Sequence, residues 1–215
     1  MNRKPRNQAL IIAILIPVVL IIQLVSAIGT AVLANAFVFE RAFVVGNSMN
    51  PTIQNEESLL EFKLGYFFEE PKRGDIVVFK YKTGSSSAGT GLQNSILPFN
   101  DPNEQDYIKR VIAVPGETVD IKNNSVYING QKLIEPYTKG LTEPLSLEGE
   151  ATFLYPFTVP KGEVFVLGDN RQNSKDSRII GSVKISDIRG RALYVMFPAK
   201  DFRNLPNNQW SLEDK

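Results

Sequence analysis

Tyr107-Ile108-Lys109-Arg110-Val111-Ile112-Ala113-Val114-Pro115-Gly116-Glu117, continued by Thr118-Val119-Asp120-Ile121-Lys122-Asn123-Asn124-Ser125-Val126-Tyr127-Ile128-Asn129-Gly130, is the stretch that decides the fold. Runs of five to eight residues rich in Val, Ile and Tyr stop at Pro-Gly, Asn-Asn and Asn-Gly, which is strand-and-turn punctuation. Strands are expected over 107–114, 118–122 and 125–129. Asn129-Gly130 has the residues that a type I′ hairpin turn wants, because both tolerate positive φ. Working outward, the same grain recurs at 42–45, 59–64, 75–82, 132–134, 163–167 and 192–197. No segment after residue 42 sustains a helical period over a full helix length, so the chain reads as mainly β.

Between these strands, 83–106 is Gly/Ser-rich and then Asn/Asp/Pro-containing, the composition of a flexible surface insertion. A second irregular stretch, 136–159, reads as a small inserted subdomain or lid. The polar tail 201–215, with Trp210, is expected to pack loosely. There is no internal repeat.

The N-terminus has a different grain. Residues 1–8 carry Arg3, Lys4 and Arg6, and 9–38 then run without a charge. Roughly 20 apolar residues suffice for a helix to cross the ~30 Å hydrocarbon layer, so 9–38 is expected to be a transmembrane anchor. Basic residues precede the span and Glu40 and Arg41 follow it, which puts the N-terminus in the cytoplasm and 39–200 outside, as an extracytoplasmic domain at the cell membrane. A cleavable secretory signal is the alternative, since Ala34-Asn35-Ala36 is an A-x-A cleavage pattern. The apolar run is about twice the ~7–15 residues of a signal core, which favours a retained anchor.

Composition removes whole classes of chemistry. Of 215 residues none is His and none is Cys. Disulfides, thiolate or imidazole metal sites, cysteine nucleophiles and every Ser-His-Asp arrangement are excluded. The formal net charge is +1, from Lys+Arg 24 against Asp+Glu 23, so no overall field points to nucleic acid. Acid–base work falls to carboxylates, Lys, Tyr or Arg.

Three polar constellations remain. Gly46-Asn47-Ser48-Met49-Asn50-Pro51-Thr52 follows a strand. Ser48 there reads either as a plain turn residue, the commoner fate, or as a hydroxyl exposed beside backbone N–H groups that stabilise an oxyanion. Lys109 and Arg110 sit on opposite faces of one apolar strand, so one of them is forced inward. Lys109 either snorkels to solvent or is buried as a base. With an ordinary pKa near ~10.4 only about one lysine in ~2500 is neutral at pH 7, and desolvation in an apolar pocket raises that fraction. Gly168-Asp169-Asn170-Arg171-Gln172-Asn173-Ser174-Lys175-Asp176-Ser177-Arg178 reads either as a solvated loop or as the support of such a lysine, with Ser174 hydrogen-bonding the amine and Asp169, Arg171, Asp176 and Arg178 holding the loop by ion pairs.

Taken together with Arg73-Gly74-Asp75-Ile76-Val77-Val78-Phe79, these stretches, in this order behind an N-terminal anchor, resemble the sequence boxes of the bacterial type I signal peptidases, a Ser-Lys dyad family of serine proteases. The resemblance covers 43–198. It implies a signal-peptidase-like β-sheet catalytic domain that removes signal peptides from exported preproteins after A-x-A sites through an acyl-enzyme. It implies Ser48 as nucleophile, Lys109 as general base and Ser174 as the hydroxyl that positions the lysine. Asp176 and Arg178 match structural ion-pair positions, and Asp169 with Arg110 forms another. Gly46 stands where many members carry an oxyanion-hole Ser, which leaves the hole to rest on the Ser48 N–H. Val44, Ile108 and Met49 fall at substrate-binding positions suited to small side chains. Signal peptides, the phospholipid membrane and the secretion machinery are the implied partners, with no metal, organic cofactor or nucleic acid.

Three rivals share parts of this pattern. The self-cleaving repressors of the DNA-damage response use a Ser-Lys pair behind a DNA-binding domain, for which this chain has no room. A non-catalytic, membrane-anchored β-domain that binds exported proteins is separated only by the pairing of Ser48 with Lys109. The eukaryotic-type signal peptidases, whose dyad resembles Ser-His, are excluded by the absence of His.

Overall fold

The computed structural model describes residues 4–82, 104–144, 154–207 and 209–213, with the side chains of the first helix described over 15–31. Met1–Glu40 and Arg41–Lys215 form two separate compact units. The first is helix α1 (Lys4–Phe37), a single run of 34 residues with Pro17 inside it. Its described side chains are all exposed, Ile22, Leu24 and Val25 among them. Among the described residues no helix is long and apolar enough to cross a membrane. The expected span therefore rests on the sequence of 9–38.

The second unit is built from strands β1 (Phe39–Phe43), β2 (Ser58–Phe62), β3 (Ile76–Lys82), β4 (Glu104–Ala113), β5 (Thr118–Lys122), β6 (Ser125–Ile128), β7 (Gln131–Ile134), β8 (Phe157–Thr158), β9 (Glu163–Leu167), β10 (Val183–Lys184), β11 (Ile188–Phe197), β12 (Arg203–Asn204) and β13 (Ser211–Leu212). Two one-turn helices, α2 (Gly65–Phe68) and α3 (Ser177–Ile180), interrupt them. The mainly β expectation holds, and each of the nine expected strands overlaps an observed one, although the strand expected over 42–45 ends at Phe43. The strands at 157–158, 183–184, 203–204 and 211–212 are too short for periodicity to reveal.

The strands make two sheets. The larger runs β1-β2-β11-β3-β4-β9-β10, with β12 beside β11, and the smaller runs β13-β7-β6-β5-β8. In the smaller sheet Asn129 and Gly130 have φ of 51° and 83°, as the type I′ reading requires, and Asn123 and Asn124 turn the preceding hairpin with φ of 50° and 58°. Ile112, Ala113, Val119, Ile128, Phe165 and Leu167 fill the core shared by the two sheets. One face of the larger sheet packs through Val44, Met49, Ile53, Leu59, Ile76 and Val195, and the other through Val77, Phe79, Val111, Val164 and Val166.

The register of β4 against β9 shifts between Val111 and Ala113, which places Val111 in one core cluster and both Ile112 and Ala113 in another. Such an irregularity re-aims side chains on either side of it. Both basic residues of the strand are buried, Lys109 at 4% exposure and Arg110 at 0%, where the sequence leads one to expect a single inward residue. Both faces of the sheet are covered: Ile108, on the face opposite Arg110's neighbours Lys109 and Val111, packs into one cluster, and Tyr107 and Val111, on the face of Lys109, pack into another.

Loose packing of the tail does not hold. β13 pairs with β7, Leu205 is buried, and Trp210 stacks beneath the Arg73 guanidinium, 4.8 Å away, while its indole N–H donates to the Arg73 carbonyl. Asn207 also donates to Asp75. Residues 83–103 of the expected insertion and 145–153 of the expected subdomain lie outside the described residues. Glu104 to Asp106 are already strand, paired with Lys82 to Lys80. From 136–159, Phe157–Thr158 joins the smaller sheet and Lys139 bridges to Asn170.

Candidate active site

The loop after β1 is held by one polar anchor and one apolar one. Gly46 turns the chain with φ of 104°, a conformation that favours glycine, and its N–H is taken by the Asn55 side chain at 2.7 Å. Beyond Ser48, Met49 and Ile53 sink into the core, and the Ile53 N–H donates to the Met49 carbonyl. Ser48 is thereby left half-buried at the loop's crest.

The strand β4 brings Lys109 beneath it. The Lys109 ammonium donates to Ser48 Oγ at 2.8 Å and to the Ile108 carbonyl at 2.8 Å, and its Nζ lies 5.2 Å from the Tyr107 ring centre. Burial disfavours the charged form and pulls the lysine pKa down to about 8, against the opposing attraction of Asp176 and then Asp169. Neither carboxylate reaches the amine, because each is committed to an arginine. Asp169 is held by Arg110 at 2.7 Å with both side chains fully buried, and it accepts a hydrogen bond from Thr52. Asp176 is held by Arg178 at 2.8 Å, accepts from the Gly168 N–H at 3.0 Å, and caps α3.

Arg171 stabilises the same loop from behind. Its guanidinium donates to Glu135 at 2.5 Å, to Thr142 at 2.6 Å and to the Gly168 carbonyl at 3.0 Å. Ser174 lies against Gly168, where an added Cβ would come within 2.2 Å of the serine Oγ. That Oγ is buried and has no hydrogen-bond partner among the described residues, so the expected bond from Ser174 to Lys109 is not formed.

These elements line a cleft of about 590 Å³, with the 43–49 segment along one side, the 105–109 portion of β4 along the other, and Asn173 and Lys175 at its rim. β9 pairs with β4 only from Arg110 onward, which leaves the 104–109 edge without a described partner on that side. Val44 and Met49 are buried beside the cleft and Ile108 packs against them, while Val45 is 87% exposed. The arrangement can accept an extended chain between the 43–49 segment and β4 and present its backbone to Ser48. No group of acidic residues that could hold a metal is found among the described residues.

Residues 17–197 match the family described as signal peptidase, peptidase S26. The chain belongs to that family. It is 38% identical over 184 residues to signal peptidase I T of Bacillus subtilis (strain 168), an alignment covering 84% of this chain and 85% of that one. Signal peptidase I of Bacillus amyloliquefaciens is 37% identical with the same coverage, and the probable signal peptidase I-1 of Synechocystis is 37% identical over 182 residues, 85% of this chain and 83% of that one. The activity is accordingly that of a serine endopeptidase of the signal peptidase I kind, which removes signal peptides.

Seen from the sequence, this peptidase site has one conspicuous omission. Asn170 donates through its N–H to the Ser48 carbonyl at 3.0 Å and through its side chain to the Asn47 carbonyl at 3.0 Å. Glu135, Thr52 and Thr142 were likewise without an assigned place. Their only signal was polarity, and their partners come from segments far along the chain.

Proposed function

We propose that the peptidase works through a Ser48–Lys109 dyad, cutting exported preproteins after A-x-A segments. The supporting observation is the 2.8 Å approach of Lys109 Nζ to Ser48 Oγ on a lysine that burial holds near pKa 8. When Lys109 is neutral the hydrogen bond reverses, and the Ser48 hydroxyl donates to the amine lone pair. Oγ attacks the carbonyl of the residue before the scissile bond as its proton passes to Nζ. The new carbon–oxygen bond leaves a negative oxygen facing the Ser48 N–H, which has no partner among the described residues. Collapse of this intermediate breaks the carbon–nitrogen bond, and Lys109 returns the proton to the departing amine. Water then gives a proton to the same lysine as its oxygen attacks the acyl carbonyl. As the carbon–Oγ bond breaks, Lys109 returns that proton to Ser48 Oγ, releasing the carboxylic acid and restoring the neutral amine.

The substrate adds as a strand along the open 104–109 edge of β4. Val44, Met49 and Ile108 exclude large side chains beside the scissile bond by overlap. The Asp169–Arg110 and Asp176–Arg178 pairs hold the loop that carries Ser174, whose buried hydroxyl has no partner among the described residues. The 9–38 segment anchors the enzyme in the cell membrane with its N-terminus cytoplasmic and its catalytic unit outside, where preproteins arrive from the secretion machinery.

The deciding experiment is cleavage of a preprotein by the detergent-solubilised chain and by Ser48→Ala and Lys109→Ala. Both variants should lose cleavage, and normal product from either would overturn the dyad. The acid limb of kcat/KM should fall near pH 8 for the parent enzyme.

A further inference from the structure

We infer that Asn170 is a positioning residue for the oxyanion hole, acting by orienting the peptide group that carries the Ser48 N–H. This rests on Ser48 being the nucleophile. The Asn47 carbonyl and the Ser48 N–H belong to one peptide unit, and that unit is trans. In a trans peptide the C=O and N–H point in opposite directions within one plane. Whatever holds the carbonyl therefore aims the N–H.

Two donors hold it. The Asn170 side-chain amide reaches the Asn47 oxygen at 3.0 Å from the 168–178 loop, and the Asn50 N–H reaches it at 3.2 Å from within the 46–52 loop. The next carbonyl, that of Ser48, is taken by the Asn170 backbone N–H at 3.0 Å. One residue thus grips two successive carbonyls of the nucleophile loop, and the intervening N–H is left facing away from it.

Asn170 can do this because it is itself rigid. It is buried, its neighbour Lys139 forms a parallel bridge to it, and Asp169 and Arg171 on either side are locked in buried ion pairs. Gly46 makes the demand sharper. With no hydroxyl at that position and an exposed backbone, the loop cannot supply a second side-chain donor from there. The direction of a single N–H then governs how well the negative oxygen is stabilised. A hydrogen bond accepted by the carbonyl also polarises the same peptide, making the N–H a stronger donor.

Asn170→Ala and Asn170→Asp, in the full chain in detergent, test this against a signal-peptide substrate. Asp preserves the shape but replaces the donor with an acceptor facing the Asn47 oxygen. Removing an oxyanion donor outright costs about 10²–10³ in kcat, so misdirecting one should cost on the order of 10- to 100-fold, with KM within about twofold. A peptide aldehyde that forms a tetrahedral adduct on Ser48 should weaken in parallel with kcat, while the matching unreactive peptide alcohol binds as before. Equal weakening of aldehyde and alcohol would make Asn170 a groove-shaping residue and overturn the inference, as would kcat and aldehyde affinity retained within about twofold in both variants. Should Asn170→Ala fail to fold, the isosteric Asp variant carries the same comparison. Cleavage retained by Ser48→Ala would instead strike the nucleophile assignment itself.

Discussion

Replacing Lys109 by Met should destroy activity and stabilise the protein, because the catalytic amine sits where its own charge is unwelcome. The side chain is 4% exposed and its pKa falls from 10.5 to about 8. A folded-state pKa below the unfolded one means that the unfolded chain binds more protons between those values, so stability rises with pH across that window. The favourable end lies above about pH 10.5, and the contribution is lost as pH falls through 8. Taking those two values, the native state forgoes about 3 kcal/mol at pH 7 and about 2 kcal/mol at pH 9, with almost nothing forgone above pH 11. Methionine fills a similar volume without a charge. It gives up the hydrogen bonds to Ser48 Oγ and the Ile108 carbonyl, worth about 1 kcal/mol. A net gain of about 2 kcal/mol at pH 7 remains, roughly 4–8 °C in the thermal midpoint for a domain of this size. Thermal unfolding of the detergent-solubilised parent and Lys109→Met across pH 7 to 11 measures it. The gap should narrow as pH rises, close at about pH 10 and reverse to about 1 kcal/mol in the parent's favour by about pH 11, where only the lost hydrogen bonds count. A variant less stable than the parent at pH 7, or a gap indifferent to pH, would refute the reasoning that burial lowers this pKa.

Arg110→Ala should cost about 3–5 kcal/mol in unfolding free energy, because it leaves the fully buried Asp169 without its partner; Arg189→Ala, which breaks a partly exposed pair with Asp106, should cost under about 1 kcal/mol. Denaturant unfolding of the two variants side by side checks the contrast. Gly74→Ala should be more damaging than Gly116→Ala although both glycines have positive φ, since a Cβ at 74 would meet the Asn207 carbonyl oxygen at 1.7 Å and one at 116 meets nothing. Gly116→Ala should show only the conformational penalty of about 1 kcal/mol, with Gly74→Ala several-fold worse in the same assay.

The β architecture was legible because it rests on local signals. Val, Ile and Tyr runs closed by Asn-Gly and Asn-Asn need no distant partner to declare a hairpin, and Thr118–Lys122 and Glu163–Leu167 are bounded as the sequence reading placed them. The pairing of Ser48 with Lys109 was legible for another reason: the stretches that carry them resemble the boxes of one family, and the absence of His and Cys leaves few other side chains that can activate a hydroxyl. What stayed hidden depends on contacts across long separations. Trp210 looked like a residue in a loose polar tail because nothing local announces that Arg73 will lie over it. Alternation sent one of Lys109 and Arg110 inward, yet both faces of the sheet are covered, and the carboxylate of Asp169 allows the second charge to be buried too. That second burial matters to the chemistry. Arg110 neutralises one carboxylate near the lysine and Arg178 the other, so the desolvation of Lys109 is not cancelled by free negative charge beside it. The basic residues that looked like loop staples in the sequence are thus also what lets an apolar pocket keep a lysine close to neutrality.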